Sequence, residues 1–493
     1  MKENYKRIFS LCLLIVVAYI SLQQFPPDDV LRHVGVAFSE VSSWGDVYPF
    51  SRFEEFKTYD PWYGYDLILK GLAKAVLKIP LPVLALKFLM IKFLSVLFLL
   101  SFCWIVLTRS DMFNEIKDRQ TFTLGLVLFL TFLTLPLLRV AYARPFVFGT
   151  LYLIYSSGQR GFIRGILSSL ALTFLYPYLS WFYILPVSFA HYFKGDKKFA
   201  SGAVLFLIAF LLFQPLSFWG FQIALFESDG LRSVINYKIT EFYTSLSFWG
   251  FFAFIIGFLI FYPGIDEKKR KLSYQSLLIL IYLVPACKYV RYFIDIALPL
   301  LFLGFIKELI ILFGTPSRKL IEAWKKIFEQ WLSEIILFLK SKSPKSNFLK
   351  ISSGSKPSIN LKPCIAVAFF ALFSLLFYGS YRQFHSLKDF ADGLNPIPNH
   401  SLVLSGFDLQ YKTILVRPDL KLIPSCEMGF PRNDLLKEYI DFMNRGIISP
   451  ITRKTGAKYL LDNKNHYIDP GEGKKLNLIK KCDYFNLWEI QAK

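Results

Sequence analysis

Apolar runs close to the ~20 residues that a helix needs to cross a bilayer recur between residues 8 and 381. Ile8–Phe25, Val83–Leu107, Thr121–Leu138, Phe146–Ser157, Gly202–Leu216, Ser247–Tyr262, Gln275–Ala286, Phe293–Phe313 and Cys364–Tyr381 are runs of this kind. Inside hydrocarbon a backbone must satisfy its own polar groups, which constrains each run to helix. With 54% hydrophobic and 18% aromatic residues over 493 positions, the chain holds more Phe, Leu and Ile than a soluble fold can bury. The expectation is a polytopic α-helical membrane protein of about eleven spans.

The links between runs fix the orientation. Lys2, Lys6 and Arg7 precede the first run and place the N-terminus inside. That run resembles a signal peptide, but it ends in Gln23-Gln24-Phe25-Pro26 with no small-x-small cleavage site, so it is expected to stay as the first span. The net charge of +21 is then the charge of cytoplasmic loops facing anionic lipid, and nucleic acid is not an expected partner. Residues 1–314 form the expected membrane-embedded domain, and 315–363 a cytoplasmic amphipathic helix (Arg318–Leu339) with a flexible basic linker. Residues 364–381 make the last span, and 382–493 a small extracytoplasmic α/β domain with strands at Ser401–Leu404 and Lys458–Leu461 and a helix at Asn433–Asn444. Cell-membrane placement follows, multi-pass, with the C-terminal domain outside.

Local signals refine this. Lys70, Lys74 and Lys78 recur at i, i+4, i+8 in Gly64–Ile79, the pattern of a helix lying on the membrane with lysines toward head groups. Lys87 and Lys92, near the outer end of the second span, are expected to snorkel to lipid phosphate. Gly165–Ala190 is basic at both ends with Tyr176-Pro177-Tyr178 in the middle, so a pair of short helices breaking at the proline is expected, beside a cavity that receives the freed backbone groups. Of six cysteines, Cys12, Cys103 and Cys364 sit in apolar runs, and no Cys-x-x-Cys or His cluster suggests zinc or iron–sulfur. Cys426 and Cys482 can pair as a disulfide if the C-terminal domain is extracytoplasmic.

Three polar clusters fall on the outer face of this topology: Asp28-Asp29-x-x-Arg32-His33, Arg144-Pro145 and Lys288-x-x-Arg291. Asp28 after Pro26-Pro27 also fits a helix N-cap; Asp29 is not needed for capping. In a helix, Arg32 and His33 share a face with these carboxylates. Arg144 and Arg291 each adjoin a span, where an arginine either meets anionic lipid or holds a phosphate in its bidentate fork, with Lys288 adding charge beside a leaving group. Trp62, Tyr63 and Tyr65 suit either an interfacial aromatic belt or stacking on a sugar ring.

An acidic pair just after the first span, a long outer loop with interfacial helices, an Arg-Pro before the fourth span, and Arg291-Tyr292 leading into a helix with Pro299 resemble the GT-C fold glycosyltransferases. That superfamily includes protein O-mannosyltransferases, aminoarabinose transferases and oligosaccharyltransferase catalytic subunits. The acids here are Asp-Asp and not Asp-x-Asp, and there is no Trp-Trp-Asp. The resemblance implies a polyprenyl-phosphate-linked sugar donor and inverting transfer to the hydroxyl of a lipid, glycan or protein acceptor on the extracytoplasmic side. It implies Asp28 or Asp29 as proton acceptor, with Arg32 and His33 in support, and Arg144, Lys288 and Arg291 on the donor phosphate. Trp62, Tyr63, Tyr65, Tyr176 and Tyr178 would contact sugar or acceptor. A divalent metal (Mg or Mn) on Asp28 and Asp29 is compatible with this reading, though nothing in the sequence requires one. A polysaccharide polymerase or ligase, a lipid-linked sugar flippase and a non-catalytic assembly protein are the alternatives. The polymerase has no need of the early acids, and the flippase predicts midplane charges and internal repeats.

Overall fold

A computed structural model describes residues 2–26, 29–52, 60–110, 119–223, 274–304, 306, 361–423, 433–463 and 468–492. Asp28, Cys426, the charged residues from Glu227 to Glu241, the run 247–262 and the amphipathic stretch 318–339 lie outside these residues. The described part is mostly helical and ends in a small sheet. Its helices are α1 (Lys2–Gln23), α2 (Asp29–Ala37), α3 (Trp44–Val47), α4 (Tyr63–Val76), α5 (Val83–Arg109), α6 (Arg119–Val140), α7 (Val147–Ser156), α8 (Phe162–Leu175), α9 (Ser180–Phe193) and α10 (Lys197–Leu212). After them come α11 (Leu216–Ile223), α12 (Tyr274–Lys288), and α13 (Phe293–Gly304), which opens with a π turn over Phe293–Ala297. Among these residues α5 and Thr121–Val140 of α6 are long and apolar enough to cross a membrane. A third span appears if α10 and α11, bent by 101°, count as one.

Helix α8 shows what solvent these helices are built for. Ile163, Leu167, Leu170 and Phe174, at helical spacing, are exposed, whereas Gly165, Ser169 and Thr173 are buried along with one large residue, Leu172. Apolar outside and small or polar inside is the arrangement of a helix solvated by lipid. The small residues allow backbones to touch: a Cβ at Gly165 would come 2.3 Å from Phe199 O on α10, and one at Gly202 would come 2.2 Å from Phe162 O. Neither neighbour is a side chain that can turn away. Gly202→Ala should therefore lower stability by about 1–3 kcal/mol, measured as thermal unfolding in detergent. Gly71→Ala, with nothing within 4 Å, should leave it level or raise it by about 0.5–1 kcal/mol; equal behaviour of the two variants would refute the packing account.

The helix break at Pro177 is present: α8 ends at Leu175 and α9 starts at Ser180. At the break, protein receives freed backbone groups. Gln222 Nε2 donates to Tyr178 O at 2.7 Å and Ser180 Oγ to Pro177 O at 2.9 Å, and Tyr176 and Tyr178 are buried.

The lysines of α5 require a larger correction. Both are buried, and neither snorkels to lipid. Helix α1 ends at Gln23, three residues before Pro26, and its last carbonyls have no intrahelical partners. Lys92 Nζ donates to Ser21 O (2.9 Å), Leu22 O (3.2 Å) and Gln24 O (2.7 Å), and also to Gln383 Oε1 (2.6 Å). Gln383 Nε2 in turn donates to Gln23 O at 2.6 Å, and Ser380 Oγ to Leu22 O at 3.0 Å. An ammonium at the negative end of a helix dipole is well placed. The end of α1, the start of α5 and residues 380–383 of the long helix α14 (Leu361–Leu394) are thereby tied at one level. Helix α14 runs unbroken through position 381, so the boundary drawn there between span and domain falls inside a helix.

Beyond α14 the C-terminal unit contains β1 (Leu402–Ser405), α15 (Phe407–Val416), β2 (Lys421–Ile423), α16 (Leu436–Arg445), α17 (Ser449–Thr455), β3 (Tyr459–Asp462), β4 (Lys474–Lys481) and β5 (Asn486–Ala492). The sheet order is β2-β1-β3-β5-β4, with β1 parallel to β2 and β3, and β5 antiparallel to β3 and β4. Gly446 and Gly456 close α16 and α17 in left-handed conformation (φ 71° and 73°), which a side chain would strain.

Candidate functional site

Helix α2 is buried from Val30 to Ala37, although Arg32 and His33 lie in it. Its surroundings explain this. Asp29 opens the helix and pairs with Arg32 one turn on, Nη2 to Oδ1 at 3.0 Å, with the arginine side chain wholly buried and the aspartate 13% exposed. The guanidinium lies over Trp62 (4.5 Å to the ring centroid), Trp44 (5.1 Å) and Tyr411 (5.8 Å). The ring of His33 meets Trp62, Tyr65 and Trp44 edge-to-face at 5.0, 5.1 and 5.2 Å. Asp29, Arg32 and His33 therefore form one site with Trp62 and Tyr65.

That site contains two acids that the sequence reading missed. His33 Nδ1 and Asp66 Oδ1 are 2.5 Å apart, in hydrogen-bond contact. Burial first, then the neighbouring Asp66 charge, lifts Asp60 to about 7. Burial also lifts Asp66 to about 7, against the pull of Arg32. Each carboxyl thus holds its proton more tightly folded than unfolded. Their contribution to stability is complete below the ordinary value of 3.8 and is lost as pH rises through about 7. Melting temperature in detergent should fall between about pH 4 and about pH 7, and Asp66→Asn, which keeps an acceptor for its neighbours, should flatten that fall. An unchanged slope in the variant would show that other groups carry it. Asp66 is the one acid of α4, a helix whose other charges are Lys70 and Lys74, so the sequence presents it as part of a charged face.

The aromatic contacts continue toward the arginines. Trp62 meets Tyr178 edge-to-face at 6.1 Å, and the Tyr176 hydroxyl donates to that of Tyr178 at 2.8 Å. From Tyr176 the ring contacts run through Tyr183 (6.3 Å) and Phe182 (5.3 Å) to Tyr292 (5.3 Å), where Arg291 lies over the ring at 4.7 Å and its Nη2 donates to the hydroxyl at 2.8 Å. On the other side Tyr65 OH donates to Ala143 O at 2.8 Å, one residue before Arg144. Arg144 is buried near the rings of Tyr142 and Phe146, each 5.9 Å from its guanidinium. Lys288 is the last residue of α12. Tyr63 does not join the group; it is 56% exposed, with its ring against Phe174. The π turn of α13 brings Asp295 to Arg139 in a bidentate pair (2.6 and 2.9 Å) between the ends of α6 and α13, another contact with no local sequence signal. Among the described residues no group of three or more His, Cys, Asp or Glu side chains is arranged to hold a metal ion.

Comparison with protein-family models, with curated proteins and with solved structures finds no match to the chain.

Proposed function

We propose that the protein is a membrane glycosyltransferase that moves a sugar from a polyprenyl-phosphate donor to an acceptor hydroxyl on the extracytoplasmic face. The observation that carries this reading is the run of contacts from the Asp29–Arg32 pair through Trp62, Tyr178 and Tyr176 to Tyr183, Phe182, Tyr292 and Arg291. A carboxylate at one end and guanidinium groups at the other suit a proton leaving the acceptor while negative charge grows on a leaving phosphate. Asp29 takes the acceptor proton. The acceptor oxygen forms a bond to the anomeric carbon as the bond from that carbon to the phosphate oxygen breaks, a single displacement that inverts configuration. Arg144, Lys288 and Arg291 neutralise the departing phosphate, and Trp62, Tyr176 and Tyr178 flank the sugar.

The membrane layout of about eleven spans belongs to the same proposal. It is supported by the meeting of the α1 end, the α5 start and residues 380–383, because an alternating chain brings these three to one face. Helix α4 fits a position along the membrane surface: Leu67 and Ile68 are exposed while Tyr65, Asp66 and Leu69 are buried. The test is release of sugar from radiolabelled polyprenyl-phosphate donors by membranes carrying the protein, with and without EDTA. Transfer is expected, and the EDTA arm decides whether a divalent ion at Asp28 and Asp29 takes part. Absence of transfer across the common donor sugars would overturn the reading.

A further inference from the structure

We infer that helix α15 of the C-terminal unit is a wall of the α2 site, and that Tyr411 on it is a positioning residue which holds Arg32 against Asp29. Three contacts carry this, each between a different pair of groups. The first is a backbone approach that leaves no room for a side chain: a Cβ at Gly35 would lie 2.3 Å from Ile414 O and 2.8 Å from Leu415 Cα. Two helices pack this closely only when the position between them is glycine. The second is the Lys87 ammonium, which donates to Leu415 O at 2.6 Å. Leu415 lies in the last turn of α15, so a buried charge of the membrane helix α5 caps a helix of the C-terminal unit. The third is the ring of Tyr411, third to Trp62 and Trp44 around the Arg32 guanidinium.

Together they give α15 a definite task. Ile414 and Leu415 are wholly buried, in the same apolar core as Val30, Leu31 and Val34 of α2. The Arg32 guanidinium is therefore buried among Trp44, Trp62 and the ring of a helix more than 370 residues later in the chain. A dry guanidinium stacked on rings has one orientation available, whereas a hydrated one has many. The C-terminal unit thus acts in the geometry of the site itself and is more than a cover or a separate acceptor module.

The activity arm of the test rests on the glycosyl-transfer reading; the exchange arm does not. Full-length Tyr411→Ala, Tyr411→Phe and Gly35→Ala are compared with the parent in detergent. Hydrogen exchange is measured on the peptide covering 29–37, and donor turnover in membranes. Tyr411→Ala should speed exchange of that peptide about tenfold and lower kcat about ten- to thirtyfold with KM for the donor unchanged. Tyr411→Phe keeps the ring and should restore both. Gly35→Ala should speed exchange in the 407–416 peptide as well as in 29–37, because it pushes α15 away. Parent-like exchange and kcat in Tyr411→Ala would overturn the inference. An equal loss of kcat in Tyr411→Phe would overturn it too, since the hydroxyl and not the ring would then be at work. If the parent transfers no sugar, the functional reading fails while the exchange measurements still decide the role of Tyr411.

Discussion

Asp29→Asn should lower sugar transfer by about 10²–10⁴-fold, the range lost when a positioned general base is removed, with donor KM little changed. The amide keeps the shape of the carboxylate and can still accept from Arg32, but it cannot take a proton. Some loss of stability is also expected, because the fully buried Arg32 loses its charged partner. Breaking a fully buried ion pair costs about 3–5 kcal/mol. The retained acceptor, the surrounding rings of Trp44 and Trp62 and the partial exposure of Asp29 place this case at or below the lower end. A monodisperse protein with native-like exchange over 29–37 and no transfer is the result that assigns the base. Asp66→Asn is the necessary comparison, because Asp66 is in hydrogen-bond contact with His33, whose ring meets the same two tryptophans. Transfer within twofold of the parent in Asp29→Asn, together with its loss in Asp66→Asn, would move the base to the His33–Asp66 couple.

What the sequence revealed and what it hid divide along a physical line. Periodic and local signals were legible. Among the described residues the apolar runs are helical, two of them long enough to cross a membrane, the segment holding Tyr176-Pro177-Tyr178 breaks around its proline, and β1 and β3 lie within a residue of the strands expected at Ser401–Leu404 and Lys458–Leu461. The Asp29–Arg32 pair follows from helical spacing alone. Strand β4 was not legible, because Lys474–Lys481 buries no residue and its apolar alternation is confined to Leu476 and Leu478 between lysine pairs. The partners of buried charges were equally hidden. Lys87 finds a carbonyl 328 positions away and Arg139 a carboxylate 156 away, contacts that tertiary packing creates. Asp66 was overlooked for a different reason: a single acid among lysines reads as surface charge until burial is known.

Lys92→Met should cost about 2–4 kcal/mol of stability, near the largest effect of a single side chain outside the site. Methionine matches the length and apolar stem of lysine, so the core around Phe25 and Phe88, whose rings stack at 5.7 Å beside the ammonium, stays filled. What disappears is the donor shared by Ser21 O, Leu22 O, Gln24 O and Gln383 Oε1. Ser380 still reaches Leu22 O and Gln383 still reaches Gln23 O, leaving the carbonyls of Ser21 and Gln24 without this donor. Each buried acceptor left unmade costs about 1–3 kcal/mol, offset by the desolvation that the ammonium no longer suffers. The loss would be read as a lower unfolding temperature in detergent and as faster exchange at the end of α1. A variant as stable as the parent would restore the lipid-facing role first expected for this lysine. The same variant bears on the site, because Asp29 begins α2 a few residues past the capped end of α1. Fraying there shifts the start of α2, so a fall in transfer with Lys92→Met, matched to its fall in stability, would trace the placement of Asp29 back to an ammonium in the next helix.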